Sequence, residues 1–351
     1  MRVLRAVALG LGGLASAGAA GCASELDGGD RPEPPPAHHR PPAVDPAAVA
    51  GDGPGATFAV ARLFLGDTDR GGSFSAQAWR DYGYDLDGIV SDGTGALECQ
   101  PHGGAPPSSV HLDGDGGIDN AFGKSLLPVL LGTVPTVSAD NDASLQAGEL
   151  TFLFDIGAIG AQPSYHDLPT RYYRGGPLGS APLWDGTDEW PVLQESLLDP
   201  TDITASAVVF PHAYVTGHIW VSGEPRTLEV ALMVAGVPLR LTVERAVVTM
   251  EVASDLGEAT NGILAGVLDP AMLAERLWAL RGYVSPSLCF GGDHVSEAEQ
   301  LLSISDILKD GTQDPHRTCD ALSIGLGFTA RAVEVGPILP PQVPLPDPCA
   351  P

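Results

Sequence analysis

TLEVALMVAGVPLRLTV, residues 227–243, decides how the rest of the chain is read. In its first half Leu228, Val230, Leu232 and Val234 alternate with Glu229, Ala231 and Met233. In its second half Leu239, Leu241 and Val243 alternate with Arg240 and Thr242. A period of two belongs to a strand with one buried face, and Ala235-Gly236 between the runs is a turn signal, so the stretch predicts a β-hairpin. Working outward, TFAVARLFLG (57–66), LTFLFDIGAI (150–159) and residues 246–252 and 321–330 are further apolar strands. Residues 207–210 and 213–221 flank a Pro-His break and predict two more. Strands at short spacing with Gly-rich turns, and no alternation with long helices, predict a mainly β body: an antiparallel β-sandwich or barrel-like sheet. Two helices are expected toward the C-terminus. One has Asp269 as N-cap, Pro270 at the first helical position and Gly282 as its stop; the other is amphipathic and covers 295–309.

The chain of 351 residues carries 18 Lys+Arg against 44 Asp+Glu, a formal net charge of -26. That balance excludes a basic nucleic-acid binder, which needs a cationic surface to displace counterions from phosphate. A hydrophobic fraction of 44% excludes a wholly disordered acidic chain. The 29 Asp outnumber the 15 Glu. Short carboxylates suit turns and caps, and also loop-built calcium sites.

Arg2 and Arg5 precede an uncharged run of small and apolar residues, Ala6–Ala20, which ends at Ala19-Ala20-Gly21-Cys22. The pattern is that of a secretory signal over residues 1–21. It resembles the lipobox of bacterial lipoproteins, with Ala19 where Leu is usual. That resemblance implies lipidation of Cys22 and a membrane anchor at the N-terminus. Ala23 after the cysteine, with no Asp, implies the outer membrane of the cell envelope. Residues 22–56 read as the lipidated Cys and a Pro/Gly-rich tether, 57–335 as the body, and 336–351 as a Pro-rich tail.

Beyond Cys22, four cysteines remain: Cys99, Cys289, Cys319 and Cys349. In an exported chain they predict two disulfides, with three pairings open. Cys289 and Cys319 bracket the second helix, which favours that pair and leaves Cys99 for Cys349. No CxxC occurs to suggest zinc.

Two blocks could carry chemistry. LDGDGGIDNAFG (112–123) presents Asp113, Asp115, Asp119 and Asn120 on a Gly-rich turn. Hard oxygens on a backbone able to curl suit Ca2+, although Lys124 stands where an EF-hand would place its Glu. The competing reading is an Asp-rich turn that bonds its own amides and leads into a short helix. Asp85 and Asp87 in YDLDG form a further close pair. WDGTDEW (184–190) sets Trp184 and Trp190 beside Asp185, Asp188 and Glu189. Indole platforms next to carboxylates suit a glycan ligand, and paired carboxylates suit glycoside hydrolysis. The competing reading is a surface loop anchored by tryptophan. No GxSxG, HExxH, Walker A or dinucleotide fingerprint is present, and Ser323 lacks the preceding glycine of a nucleophile elbow.

YGYDLDG, Cys99, LDGDGGIDNAFG and the closing TCDALSIGLGF together resemble predicted cell-surface lipoproteins of large-genome bacteria. The resemblance runs from about Trp79 to Phe328 and implies a single folded unit. Those proteins have no assigned activity, so it carries over no catalytic residue. The expected function is therefore a non-catalytic binding, adhesion or envelope-structural role, with a glycan or protein as ligand. The alternative is a carbohydrate-active surface enzyme using the carboxylates near Trp184–Trp190.

Overall fold

A computed structural model of the chain describes residues 38–290, 294–341 and 345–350. Eleven strands are numbered in chain order: β1 (Val49–Ala50), β2 (Ala56–Phe64), β3 (Thr151–Ile156), β4 (Tyr165–Gly175), β5 (Glu189–Leu193), β6 (Val208–Thr216), β7 (Ile219–Val221), β8 (Arg226–Val234), β9 (Val237–Val252), β10 (Glu258–Leu268) and β11 (Leu322–Leu339). The α-helices are α1 (Pro107–Val110), α2 (Leu127–Thr133), α3 (Val137–Ala147), α4 (Pro270–Val284) and α5 (His294–Ser303).

The hairpin forms as its alternation dictates. Val234 faces Val237, Leu232 faces Leu239, Val230 faces Leu241 and Leu228 faces Val243. Ala235 (φ 51°) and Gly236 (φ 77°) both turn left-handed, the backbone of the tight turn that matches strand twist. β9 runs on past the hairpin: it pairs with β10 from Val243 onward, across a shift in register near Arg245 (φ 53°), and with β7 at Thr249, Met250 and Glu251.

Eight strands close a ring in the order β4-β3-β2-β11-β10-β9-β7-β6, with β6 returning to β4, and every pairing in the ring is antiparallel. The body is thus the barrel among the two expected architectures. β5 lies outside the ring between β4 and the far end of β11, over a second apolar cluster built on Leu153, Tyr173, Trp190 and Val192.

The lumen is filled. Phe152 and Phe154 from β3, Tyr172 from β4, Phe210 from β6, Trp220 from β7 and Phe328 from β11 belong to one buried cluster. Ring centroids lie 5.5 Å apart for Phe154–Trp220, 6.0 Å for Phe154–Phe328 and 6.2 Å for Phe210–Trp220. Aromatic rings at these spacings leave a packed core, as expected when an eight-stranded barrel is filled by its own side chains.

Along β11, Leu322, Ile324, Leu326 and Phe328 join that core, and the alternate residues Ser323, Gly325 and Gly327 face outward. They are small because another segment lies flat on them. A Cβ added to Gly325 would stand 2.1 Å from the Tyr82 carbonyl oxygen, and one on Gly327 2.5 Å from the Tyr82 ring. Residues 66–126 form this outer layer, ending in a π-helical turn, Phe122–Leu126, that runs into α2.

Several expected boundaries shift. Residues 38–56, read as tether, lie on the body: β1 pairs in parallel with Tyr165–His166, the His39 amide donates to Gly116 O at 2.7 Å, and Tyr214 Oη donates to Pro42 O at 2.7 Å. β6 continues through Pro211-His212 instead of breaking there. α5 ends at Ser303, short of Lys309, and β11 extends through Gly336 to Leu339 into the expected tail. Asp269 caps α4 as expected, its carboxylate accepting from the Ala271 amide at 2.8 Å and from Lys309 Nζ at 2.6 Å.

Both disulfides form, with a different pairing. Cys99 joins Cys319 and Cys289 joins Cys349, in place of Cys289–Cys319 and Cys99–Cys349. The irregular segment before β11 lies alongside residues 99–100, where the Gln100 amide donates to Arg317 O at 2.7 Å and the Cys319 amide to Gln100 O at 3.0 Å. This backbone pairing, not the bracket around α5, selects the partner of Cys319.

Candidate functional site: a buried carboxylate cluster

Asp85, Asp87 and Asp119 converge, each bringing one oxygen within 4.8 Å of the others. They come from two loops of the outer layer. Each carboxylate is first a turn-builder: Asp85 Oδ1 accepts from the Gly88 amide at 2.6 Å, Asp87 Oδ1 from the Ile89 amide at 2.7 Å, and Asp119 Oδ2 from the Leu86 amide at 2.7 Å. Gln313 Nε2 adds a bond to Asp87 Oδ2 at 2.6 Å. Two more acids stand in the same electrostatic neighbourhood. Asp113 accepts from the Ser91 amide at 2.6 Å, and Asp306 grips Ser323 through its amide (2.9 Å) and its hydroxyl (2.5 Å).

Cations are scarce around these five acids. Arg40 reaches Asp85 at 3.3 Å and His38 also bonds that carboxylate. Lys124 gives its ammonium to the Val110 and Leu112 carbonyls, and burial lowers its affinity for a proton. No ion pair reaches Asp87, Asp113, Asp119 or Asp306 among the described residues. Burial raises all four, with repulsion from neighbouring acids added at Asp87, Asp113 and Asp119: Asp87 to about 6, Asp113 to about 8, Asp119 well above the carboxylate range, and Asp306 upward. Desolvation is the leading cause in each case, since an unpaired charge is costly in a low-dielectric interior. A cavity of about 280 Å³ borders the cluster, with Asp85, Asp87, Arg40 and Arg245 in its wall.

The expected calcium set is only partly assembled here. Asp119 is in the cluster, while Asp115 turns to solvent and pairs with Arg80 at 3.0 Å. Asn120 is a strut: its Nδ2 donates to the carbonyls of Trp79, Tyr82 and Gly325, and its Oδ1 accepts from the amides of Gly123 and Gly325. Both lone pairs of that oxygen are occupied, which removes it as a metal ligand. Asp85 and Asp87, one weak pair in the sequence, take the vacated places; their i, i+2 spacing in YDLDG was the available signal.

The Trp184–Trp190 block is a loop anchored in the core. Trp190 is buried, donates Nε1–H to Gly176 O at 2.9 Å, and stacks on Trp184 at 5.3 Å. Asp188 closes a turn by accepting from the Leu183 and Trp184 amides at 3.0 and 2.8 Å. Asp185 accepts from Thr187, and Glu189 is exposed on β5. Asp188 is thus committed to backbone amides, so these carboxylates do not present the free facing pair that glycoside hydrolysis requires. Ser323 is fully buried between Asp306 and the Ala121 amide, with no opening to a substrate.

No family model, curated protein or solved structure matches this chain.

Proposed function

We propose that this protein is an outer-membrane-anchored extracytoplasmic lipoprotein with a non-catalytic binding, adhesion or envelope-structural role. The observation that carries the reading is the cysteine ledger. The two disulfides use Cys99, Cys289, Cys319 and Cys349, so the fifth cysteine is Cys22, at the lipobox-like position. Paired disulfides suit an oxidising compartment outside the cytoplasm. A filled barrel and carboxylates bound into turns favour a scaffold over a hydrolase. Metabolic labelling with a palmitate analogue tests the anchor: label on the wild type, lost in Cys22→Ser, is the expected result, and an unlabelled wild type overturns it.

A second reading rests on the carboxylate cluster. We propose that Asp85, Asp87 and Asp119 hold a hard divalent cation, Ca2+ by preference for all-oxygen ligands, which would neutralise Asp87 and Asp119, two acids that no side-chain cation reaches among the described residues. A melting curve in EDTA with Ca2+ add-back tests it. A fall in Tm restored by Ca2+ and absent in Asp119→Asn is expected; identical curves overturn it.

A further inference from the structure

A second cavity, of about 470 Å³, lies between the β8–β9 hairpin and α4 and shares no residue with the carboxylate cluster. Its floor is apolar, with Pro238 on the hairpin side and Ala279, Leu280 and Tyr283 on the helix side. Arg240 and Arg276 stand together in its wall, and together again in the small crevice between β9 and α4. In a chain with 18 basic residues against 44 acidic ones, two neighbouring guanidiniums on an apolar cleft are conspicuous.

Neither is well neutralised. Arg276 is exposed and makes no ion pair among the described residues. Among the described residues Arg240 forms an ion pair with Glu229 alone, at 3.7 Å, and Arg174 already holds that same carboxylate oxygen at close range. Glu195 is the one acid among the described residues of the cavity wall. The helix side is fixed beforehand, because Tyr283 Oη donates to Pro346 O at 2.5 Å and the Cys289–Cys349 disulfide secures that part of the tail. A preformed cleft loses little entropy on binding. Guanidinium forks bind carboxylates through paired, charge-assisted hydrogen bonds, and pockets with apolar walls and a few convergent polar groups suit small molecules.

We propose that this cleft binds a single-tailed amphiphile with a carboxylate head, the head on Arg240 and Arg276 and the hydrocarbon on Pro238, Ala279, Leu280 and Tyr283. The test is calorimetric titration of the full-length chain carrying Cys22→Ser, so that no acyl group is attached to the protein itself. The probes are dodecanoate, dodecyltrimethylammonium and acetate. Dodecanoate binds saturably with one site, while the cationic amphiphile and the tailless anion do not. Arg276→Gln removes an exposed guanidinium without breaking an ion pair, and it weakens dodecanoate about tenfold or more. Ala279→Trp keeps both charges, fills the cleft and abolishes binding. Unchanged melting curves show that both variants fold. Absence of saturable binding, equal binding of dodecyltrimethylammonium, or dodecanoate affinity that survives either variant overturns the proposal.

Discussion

The side-chain amide of Asn141 meets the backbone of Met233 as a neighbouring strand would: Oδ1 accepts the Met233 amide at 2.8 Å, and Nδ2 donates to its carbonyl at 2.9 Å. Asn141 sits on α3 and is almost fully buried, and Met233 lies on the edge of β8 that β9 does not cover. On that edge Tyr172 Oη also donates to Glu229 O at 2.7 Å. Two side chains thus terminate a sheet edge that would otherwise offer unpaired groups to another chain.

Asn141→Ala leaves a backbone N–H and C=O without partners in a dry place. The expected cost is about 2–4 kcal/mol, read as a shift in urea midpoint at unchanged m-value.

The carboxylate cluster sets the pH profile. Asp87 and Asp113 have folded values raised above the unfolded value of about 4. Between the two values the folded protein holds more protons than the unfolded one, so stability falls as pH rises. The window runs from about 4 to about 6 for Asp87 and from about 4 to about 8 for Asp113. In EDTA, Tm at pH 5 therefore exceeds Tm at pH 8.5. Asp113→Asn keeps the Ser91 bond, flattens the profile and raises Tm at pH 8.5 by about 5 °C. A wild-type Tm that climbs steadily from pH 5 to 8.5 contradicts this account.

The disulfide pairing is directly measurable. Peptide mapping without reduction should recover Cys99 with Cys319 and Cys289 with Cys349. Replacing Cys99 and Cys319 by Ser opens a cross-link spanning 220 residues and is expected to cost about 2–5 kcal/mol.

In the Trp184–Trp190 loop the acids separate by role. Asp188→Ala releases two backbone amides and lowers stability by about 1–3 kcal/mol, whereas Asp185→Asn at the exposed turn leaves the melting curve nearly unchanged. A catalytic pair would show the opposite pattern, with a loss of hydrolysis and little change in stability.

What the sequence displayed and what it hid divide along physical lines. The hairpin of residues 227–243 was legible because one buried face writes a period of two into the residue order. The α4 cap was legible because Asp269 and Pro270 act within one turn. The docking of residues 38–56 was not, since it rests on backbone hydrogen bonds and a two-residue strand with no apolar period. The Asp85–Asp87–Asp119 cluster was visible only as residue types, because its members come from loops 32 residues apart in sequence, counted from Asp87 to Asp119. The pairing of Cys319 failed for the same reason: proximity along the chain pointed to Cys289, while the partner sits on a loop 220 residues earlier.

Ring closure has a kinetic consequence. β2 sits between β3 and β11, with Phe64 opposite Gly327, so one of its two hydrogen-bonding edges belongs to the strand that comes last in chain order among the described residues. Contacts of such long range are slow to form, and until they do an apolar strand edge stays open to other chains. The barrel cannot shut from its N-terminal end during synthesis. Its first strand has to wait for its last.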